Sequence, residues 1–310
     1  MSAAPPSPLR VTIALCTYNG AAHLAQQLES YAAQTHTAWD LWISDDGSTD
    51  ATCDIIRRFA ETHGTGRDIR LLKGPRAGFA TNFLTLLCHP DLPAQPVALS
   101  DQDDVWLPEK LALGMAHMGG DAPCLYGAQS IHTDAALTPV GRSMGGGQAH
   151  FGNALVQNIV SGHSAMLNAS ALALVRAAGV PQGLPYHDWW LYQLVTGAGG
   201  RAIVSPDAVL MYRQHGENAM GSHQGLRATA ARAAQVFGHT YGDWIAVNTS
   251  SLRAASQLLT PQAQAILALL ETHPKRIGLA RARTFASAGI KRQGRLGTGL
   301  LYLAVLAGRV

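Results

Sequence analysis

The chain has 310 residues, of which 47% are apolar and 14% are charged, against about 25% charged in an ordinary globular protein. This apolar content excludes an intrinsically disordered protein, and four cysteines without a CxxC pair argue against a disulfide scaffold or a structural zinc site. The net charge of +3 hides an asymmetry, because residues 1–225 carry 12 Lys and Arg against 18 Asp and Glu, a net charge of −6. Residues 226–310 carry 11 against 2, a net charge of +9.

Short apolar runs alternate with helical patterns through the first two thirds of the chain. The apolar runs predict strands at residues 11–16, 41–44, 69–72 and 97–99, with further strands at 125–132, 165–168 and 208–212. Between them, helices are predicted over residues 21–33, 80–87 and 188–195, and a further helix, capped by Ser48 or Thr49, is predicted to run through Phe59. This alternation is typical of an α/β fold with a mostly parallel central sheet flanked by helices.

The C-terminal part carries no strand signal and is rich in Ala, Leu and Gln, which predicts a helical extension. We therefore expect two domains, residues 1–225 and 226–310. No acidic residue follows Glu271, and the last basic residues flank the apolar run 300–307, which is too short to span a bilayer. A basic amphipathic helix of this kind is expected to lie on an anionic membrane surface. A solvated basic face is the alternative, and nucleic-acid binding is disfavoured because the segment lacks a series of aromatics interleaved with its basic residues for stacking.

The N-terminal residues do not resemble a secretory signal, since no basic start leads into a long apolar core. We therefore expect a cytoplasmic protein, peripheral at the inner face of the cytoplasmic membrane.

Polar clusters follow three of the predicted strands, at residues 17–19, 45–46 and 101–104. The carboxyl ends of parallel strands meet at one edge of the sheet, where ligands bind. Asp-rich turns also simply end strands, but three carboxylates within four residues repel one another and favour a bound cation. Mg²⁺ usually combines one or two carboxylates with substrate phosphates, which predicts a phosphorylated substrate. The chain has neither GxGxxG nor GxxxxGK[ST], which disfavours a dinucleotide dehydrogenase or a P-loop NTPase.

Several motifs carry a family resemblance. The segments IALCTYNGAAHLAQQLES, LWISDDGSTDATCDII and ALSDQDDVWLPEK resemble family 2 glycosyltransferases of the GT-A fold, over residues 9–225. The segments SDQDDVWLPEK, YHDWWL and YRQHGENAMG resemble the bacterial rhamnosyltransferase-type branch, which builds surface polysaccharides of the cell envelope. The resemblance implies a Rossmann-like GT-A domain and an inverting, metal-dependent transfer of a sugar such as rhamnose. The implied donor is a dTDP- or UDP-sugar, and the implied acceptor is a polyprenyl-linked glycan or a polysaccharide.

The resemblance also implies a donor site. Its nucleotide pocket would be lined by Thr17, Tyr18 and Asn19. Asp46 would accept a hydrogen bond from the pyrimidine base, and Asp101 and Asp103 occupy the DxD motif, Asp101 towards the ribose and Asp103 towards the metal. The metal is expected to be Mg²⁺ or Mn²⁺, with His215 as a further ligand; a surface or substrate-contacting histidine is the alternative at that position.

Asp188 matches the position that supplies the catalytic base, where the preceding residue is His187 instead of the usual glutamate. Apolar neighbours would raise the pKa of its carboxyl group towards a useful range. The acceptor side is expected to include Gly162, His187, Trp189 and Trp190. The alternatives are core packing for the two tryptophans and a helix N-cap for Asp188.

Two other functions are compatible with parts of the sequence. A nucleotidyltransferase on a related sheet would carry an early Gly-rich loop with Arg or Lys, which residues 17–20 do not resemble. A non-catalytic carbohydrate-binding scaffold would not need Asp46, the DxD motif and Asp188 together.

Overall fold

The computed structural model describes residues 9–143, 147–214, 239–271 and 278–310, and within these ranges nine strands form one sheet. The strands are β1 (Val11–Thr17), β2 (Trp39–Asp45), β3 (Ile69–Lys73), β4 (Val97–Ser100), β5 (Val105–Trp106), β6 (Cys124–Thr133), β7 (Pro139–Arg142), β8 (Met166–Leu167) and β9 (Arg201–Arg213). The helices are α1 (Leu24–Ala32), α2 (Thr52–His63), α3 (Phe79–Leu87), α4 (Lys110–Met115), α5 (Phe151–Ala154), α6 (Ala169–Ala178), α7 (His187–Gly197), α8 (His239–Ala254), α9 (Pro261–Glu271), α10 (Leu279–Ser287) and α11 (Arg295–Leu306).

The sheet has the strand order β3-β2-β1-β4-β8-β6-β9-β5, with β7 paired to β6. The first four strands are parallel, β8 is antiparallel to both neighbours, and β6 and β9 are parallel. The predicted mostly parallel sheet flanked by helices is therefore confirmed. Thr17 pairs with Asp45 in the register of β1 and β2, so the polar residues that follow these strands lie at the same edge of the sheet.

The central strands read as continuous apolar runs because helices cover both faces of the sheet. All seven residues of β1 and all seven of β2 are buried. The predicted apolar face of α1, consisting of Leu24, Leu28 and Tyr31, packs into one core cluster. Phe83 and Leu87 of α3 belong to the other cluster.

Helix α2 begins at Thr52, later than the predicted cap at Ser48 or Thr49 implies, and its first backbone N–H donates to Asp50 Oδ1 at 3.0 Å. Ser48 Oγ donates to Asp45 Oδ2 at 2.5 Å and accepts from the backbone N–H of Asn19 at 2.8 Å. The backbone N–H of Thr49 donates to Asn19 Oδ1 at 2.8 Å. These hydrogen bonds hold the loops after β1 and β2 together, so Ser48 and Thr49 do not cap α2.

The C-terminal extension is helical, as predicted, and the described part of residues 226–310 contains no strand. The expected domain boundary at residue 225 lies outside the described residues, between residues 214 and 239. On its far side, Tyr241 of α8 donates its hydroxyl to the carbonyl of Val156, and its ring stacks on Trp189 of α7 at 6.3 Å between centroids. None of the described helices is long and apolar enough to cross a membrane.

Candidate active site

The loops after β1 and β2 are held together by Asp45. Its carboxylate accepts from Thr17 Oγ1 at 2.9 Å, from the backbone N–H of Gly47 at 3.2 Å and from that of Ser48 at 2.9 Å. Burial alone would raise the pKa of Asp45, but the hydrogen bonds from Ser48, Thr17 and Gly47 lower it below its ordinary value. Thr17 is buried and its hydroxyl is bonded to Asp45, so this hydroxyl supports the loop and does not face a ligand.

Asp46 holds the loop that follows β3. One carboxylate oxygen accepts from the backbone N–H of Arg76 at 2.6 Å and the other from that of Gly78 at 2.9 Å. Both amides belong to left-handed residues, with φ of 58° and 84°. The expected contact between Asp46 and a pyrimidine base therefore has to use the second lone pair of an oxygen that already accepts one bond.

Tyr18 is fixed by Gln102, a residue in the DxD loop that sequence reasoning did not single out. Gln102 Oε1 accepts from the backbone N–H of Tyr18 at 2.9 Å, and its Nε2 donates to the Tyr18 carbonyl at 3.0 Å. The Tyr18 side chain remains 58% exposed. At this edge of the sheet, the Tyr18 ring is therefore exposed, while the backbone N–H and carbonyl of Tyr18 are both hydrogen-bonded to the Gln102 side chain.

The loop after β4 and the turn before β8 bring together Asp101, Asp104 and His163, whose donor atoms lie within 4.8 Å of one another. Burial raises the pKa of Asp101 to about 7, and the charges of Asp103 and Asp188 add to the shift. Asp104 is buried; its Oδ1 accepts from the backbone N–H of Arg213 at 3.3 Å, and its Oδ2 has no hydrogen-bond partner among the described residues.

His163 is neutral in this environment, because burial lowers its pKa to about 3. Two carboxylates and a neutral imidazole, with one buried carboxylate oxygen left unbonded, fit a divalent cation such as Mg²⁺ or Mn²⁺.

Lys110 of α4 supplies a buried positive charge beside this cluster. Its Nζ donates to the carbonyl of His163 at 2.5 Å and lies 3.5 Å from the centroid of the Trp106 ring. Burial lowers the pKa of Lys110 well below its ordinary value, while its charge acts to lower the pKa values of Asp101 and Asp104. Lys110 therefore offsets part of the repulsion between the carboxylates.

The predicted metal ligands were Asp103 and His215. His215 lies outside the described residues. Asp103 is not a member of the cluster of three, and its backbone carbonyl accepts from Arg213 Nε at 3.1 Å. The structure also brings His163 to this cluster, and the available signal was its position directly after Gly162, in a segment already assigned to the site.

Asp188 lies in the first turn of α7, facing the turn that contains Gly162. Its Oδ2 accepts from the backbone N–H of Gly162 at 2.9 Å and its Oδ1 from that of Trp189 at 2.7 Å. Burial raises the pKa of Asp188 to about 6, and hydrogen bonds from Gly162, Trp189 and Asn158 act against that rise. A Cβ added to Gly162 would lie 2.8 Å from His187 Nε2, so only glycine fits here without movement. A carboxylate with this pKa is suited to general-base chemistry near neutral pH.

His187, Trp189 and Trp190 were expected on the acceptor side, and all three are buried in the structure. His187 is buried, stacks on Phe83 with 4.1 Å between ring centroids, and has its pKa lowered by burial to about 3. Trp190 is fully buried, and Trp189 is buried with its Nε1 donating to the Ala154 carbonyl at 2.6 Å. The three rings support α7 from the core, which was the alternative considered for the tryptophans.

The chain is similar to known proteins. The family model for glycosyl transferase family 2 matches residues 12–172, more than half of the chain. The dTDP-rhamnosyl transferase RfbG of Shigella flexneri is 25% identical over 228 residues, covering 70% of this chain and 77% of that protein.

Two solved structures are similar in fold. The S. aureus TarS 1-349 structure has a TM-score of 0.53 at 14% identity, covering 97% of this chain and 82% of that one. The mannosyltransferase PcManGT from Pyrobaculum calidifontis, in complex with GDP-Man and Mn²⁺, has a TM-score of 0.53 at 18% identity, covering 98% and 88%. With its family 2 match, the chain belongs to glycosyltransferase family 2 and is a glycosyltransferase of the GT-A fold.

Proposed function

We propose that this enzyme transfers a sugar from a nucleotide-diphosphate sugar to a hydroxyl group of a lipid-linked glycan. The observation that carries the proposal is the position of Asp188, whose carboxylate has a pKa of about 6 and accepts from the backbone N–H of Gly162. Asp188 lies close enough to Asp101 for its charge to raise the pKa of Asp101. Rhamnose from dTDP-rhamnose is the first candidate for the donor, because the relative from Shigella flexneri is a dTDP-rhamnosyl transferase.

The nucleotide is assigned to the edge of the sheet formed by the loops after β1, β2 and β4. The exposed Tyr18 ring and the Asp46 carboxylate are assigned to the base, with Thr17 and Asn19 shaping the pocket through their loop hydrogen bonds. Asp101 is assigned to the ribose side. A dTDP- or UDP-sugar fits a site whose base contact is a carboxylate acceptor, because thymine and uracil each present a ring N–H.

A divalent metal, Mg²⁺ or Mn²⁺, is assigned to the DxD loop, with Asp101, Asp104 and His163 as the ligands that the geometry supports and Asp103 as the ligand that the family resemblance implies. When bound, such a metal acts as a Lewis acid that neutralises the charge of the leaving diphosphate. The protein's own contribution here is to hold the carboxylates together against their repulsion, through the buried charge of Lys110.

Asp188 is assigned the role of general base. Its carboxylate removes the proton of the acceptor hydroxyl as the oxygen of that group attacks the anomeric carbon. The bond from the anomeric carbon to the diphosphate oxygen breaks on the opposite side, so that a single displacement inverts the configuration. The hydrogen bonds from Gly162 and Trp189 fix the orientation of both carboxylate oxygens before the reaction.

The acceptor is proposed to be a polyprenyl-linked glycan at the inner face of the cytoplasmic membrane, which the protein would reach by peripheral contact through its basic C-terminal region. Supporting this, residues 278–310 contain six Lys and Arg and no Asp or Glu. Clustered cations add about 1 kcal/mol each to binding near an anionic leaflet.

The test is a nucleotide-release and transfer screen with UDP-, dTDP- and GDP-sugars, each with Mg²⁺, Mn²⁺ or EDTA, on the wild type and on Asp188→Asn. We expect Asp188→Asn to bind the donor with unchanged affinity in calorimetry and to lower kcat by about 10²- to 10⁴-fold, the usual contribution of a positioned base. Asp91→Asn makes the same chemical change at an exposed loop position and serves as the control. A loss of donor affinity in Asp188→Asn, or full turnover by that variant, would remove Asp188 from the role of base.

A further inference from the structure

Helix α11 has an apolar face that the described part of the protein leaves uncovered. Three leucines on this helix are exposed, Leu296, Leu303 and Leu306, at 72%, 55% and 38%. The core side of the same helix is formed by Leu301, Ala304 and Val305, which are fully buried. No charged residue lies between Arg295 and Arg309. We call Leu296, Leu303 and Leu306 the leucine face. A helix that is apolar on all sides is normally buried on all sides, so an exposed leucine face indicates a binding surface.

Basic residues lie on either side of the leucine face along the chain. Arg295 begins α11 and Arg309 follows its end, while the neighbouring α10 adds an exposed Leu279, at 70%, and an exposed Arg283. No acidic residue lies between residues 278 and 310. Apolar side chains between cations are the composition of helices that lie in the interface of an anionic bilayer.

The leucine face is also connected to the site through the segment that precedes α11. The carbonyl of Lys291 accepts from Asn153 Nδ2 at 3.0 Å, and the backbone N–H of Gln293 donates to Gln157 Oε1 at 2.7 Å. The next residue, Asn158, is hydrogen-bonded to Asp188. The leucine face therefore has a fixed position relative to Asp188.

We propose that the leucine face inserts into the headgroup region of an anionic phospholipid surface and holds Asp188 at a fixed distance from it, so that the acceptor hydroxyl belongs to a membrane-anchored molecule. The statement about the acceptor rests on the proposed function, whereas the insertion of the leucine face does not. Helix α11 has 12 residues, a length of about 18 Å, against about 30 Å for the hydrocarbon core, so it lies in the interface.

A second copy of the chain is the competing occupant of the leucine face. A two-fold symmetric contact would bring the same surface of each copy together, and with it the cations of both. Residues 278–310 carry six Lys and Arg per chain and no Asp or Glu. An anionic lipid surface offers the complementary charge, which favours the membrane over the dimer.

The experiment is vesicle flotation of the full-length protein without donor, using phosphatidylcholine vesicles with and without phosphatidylglycerol. We expect the wild type to bind the anionic vesicles, and Leu296→Gln/Leu303→Gln to lower its partition coefficient at least ~10-fold by removing two apolar side chains. Leu9→Gln, at an equally exposed leucine next to β1, is expected to bind like the wild type. Arg283→Gln/Arg295→Gln should weaken binding to anionic vesicles several-fold and provides a second test that leaves the leucines in place.

The proposal is overturned if the leucine variant floats like the wild type, or if the wild type binds neither vesicle. It is also overturned if light scattering finds a dimer that the leucine variant dissociates, because a second copy then covers the leucine face. Donor hydrolysis in vesicle-free buffer is measured in parallel, and we expect it to be unchanged in the leucine variant. If the leucine variant no longer floats but still hydrolyses the donor, insertion of the leucine face is supported. If the wild type floats but neither protein hydrolyses the donor, only the proposed function is contradicted.

Discussion

Asp188 and Asp101 are both carboxyl groups whose pKa values burial raises, but their surroundings differ. Asp188 accepts two backbone hydrogen bonds, which favour the ionised form and limit its pKa to about 6. Asp101 has other carboxylates beside it, and its pKa rises to about 7, with only Lys110 acting in the opposite direction. Asp188 is therefore ionised at neutral pH without help, whereas Asp101 gains from a cation. This difference agrees with separate roles for the two residues as base and as part of a cation site.

The pKa of Asp188 predicts how the rate of sugar transfer falls at low pH. A base works only when it is deprotonated, so we expect kcat/KM to be constant above about pH 7 and to fall tenfold per pH unit below about pH 6. The measurement uses saturating Mg²⁺ or Mn²⁺, so that protonation of Asp101 does not contribute, with donor affinity followed at each pH. If kcat/KM instead began to fall only near pH 4, the Asp188 carboxyl would not be held in its buried environment during catalysis.

Residues of the site that end a strand or match a motif could be predicted from the sequence, and those that meet only through the fold could not. Asp101 and Asp188 were identified from motifs. Lys110 and His163 were not, because their contribution depends on a contact across 53 residues between an ammonium and a backbone carbonyl. The sequence also gave no sign that His187 stacks on a phenylalanine in the core.

At the scale of elements, continuous apolar runs were the reliable signal. The four parallel strands β1 to β4 were predicted from these runs; β1, β2 and β4 are buried along their whole length, whereas β3, at the edge of the sheet, is only partly buried. Strands β5 and β7 were missed, since they have two and four residues and no periodic pattern. The start of α2 was misplaced because Ser48 bonds to Asp45 and Asn19 instead of capping, a choice between local and long-range hydrogen bonds that the sequence does not settle.

Helix α5 gives a prediction at this scale, because its backbone lies against the C-terminal segment. A Cβ added to Gly152 would lie 2.7 Å from the carbonyl oxygen of Gly289, a backbone atom that cannot rotate away. We expect Gly152→Ala to lower the free energy of unfolding by about 1–3 kcal/mol, the usual cost of overpacking. Gly119→Ala, where an added Cβ meets nothing within 4 Å, is the control. Equal urea midpoints for the two variants would contradict the close approach of α5 and residue 289.

For the whole molecule, the opposite charges of the two regions suggested a catalytic domain with a separable basic anchor. The hydrophobic core argues for a tighter connection, because Phe285, Leu301 and Val305 belong to the same buried cluster as Trp189 and Trp190 of α7. The helix that carries Asp188 is thus packed on the extension through its own core residues. Deleting the extension would expose this cluster to water, so single substitutions are better probes of the region than truncation.

Phe285→Ala tests whether the two regions unfold together. The ring is buried within the extension, and we expect its removal to cost about 3–5 kcal/mol and to lower the urea midpoint of the whole protein. Tryptophan fluorescence and donor binding, which report on the core and on the nucleotide site, should then lose their signals at the same lowered urea concentration, because one cooperative core gives one transition. If donor binding instead kept the wild-type midpoint in Phe285→Ala, the extension would be an independently folding domain, and its contacts with α5 and α7 would contribute little to the stability of the site.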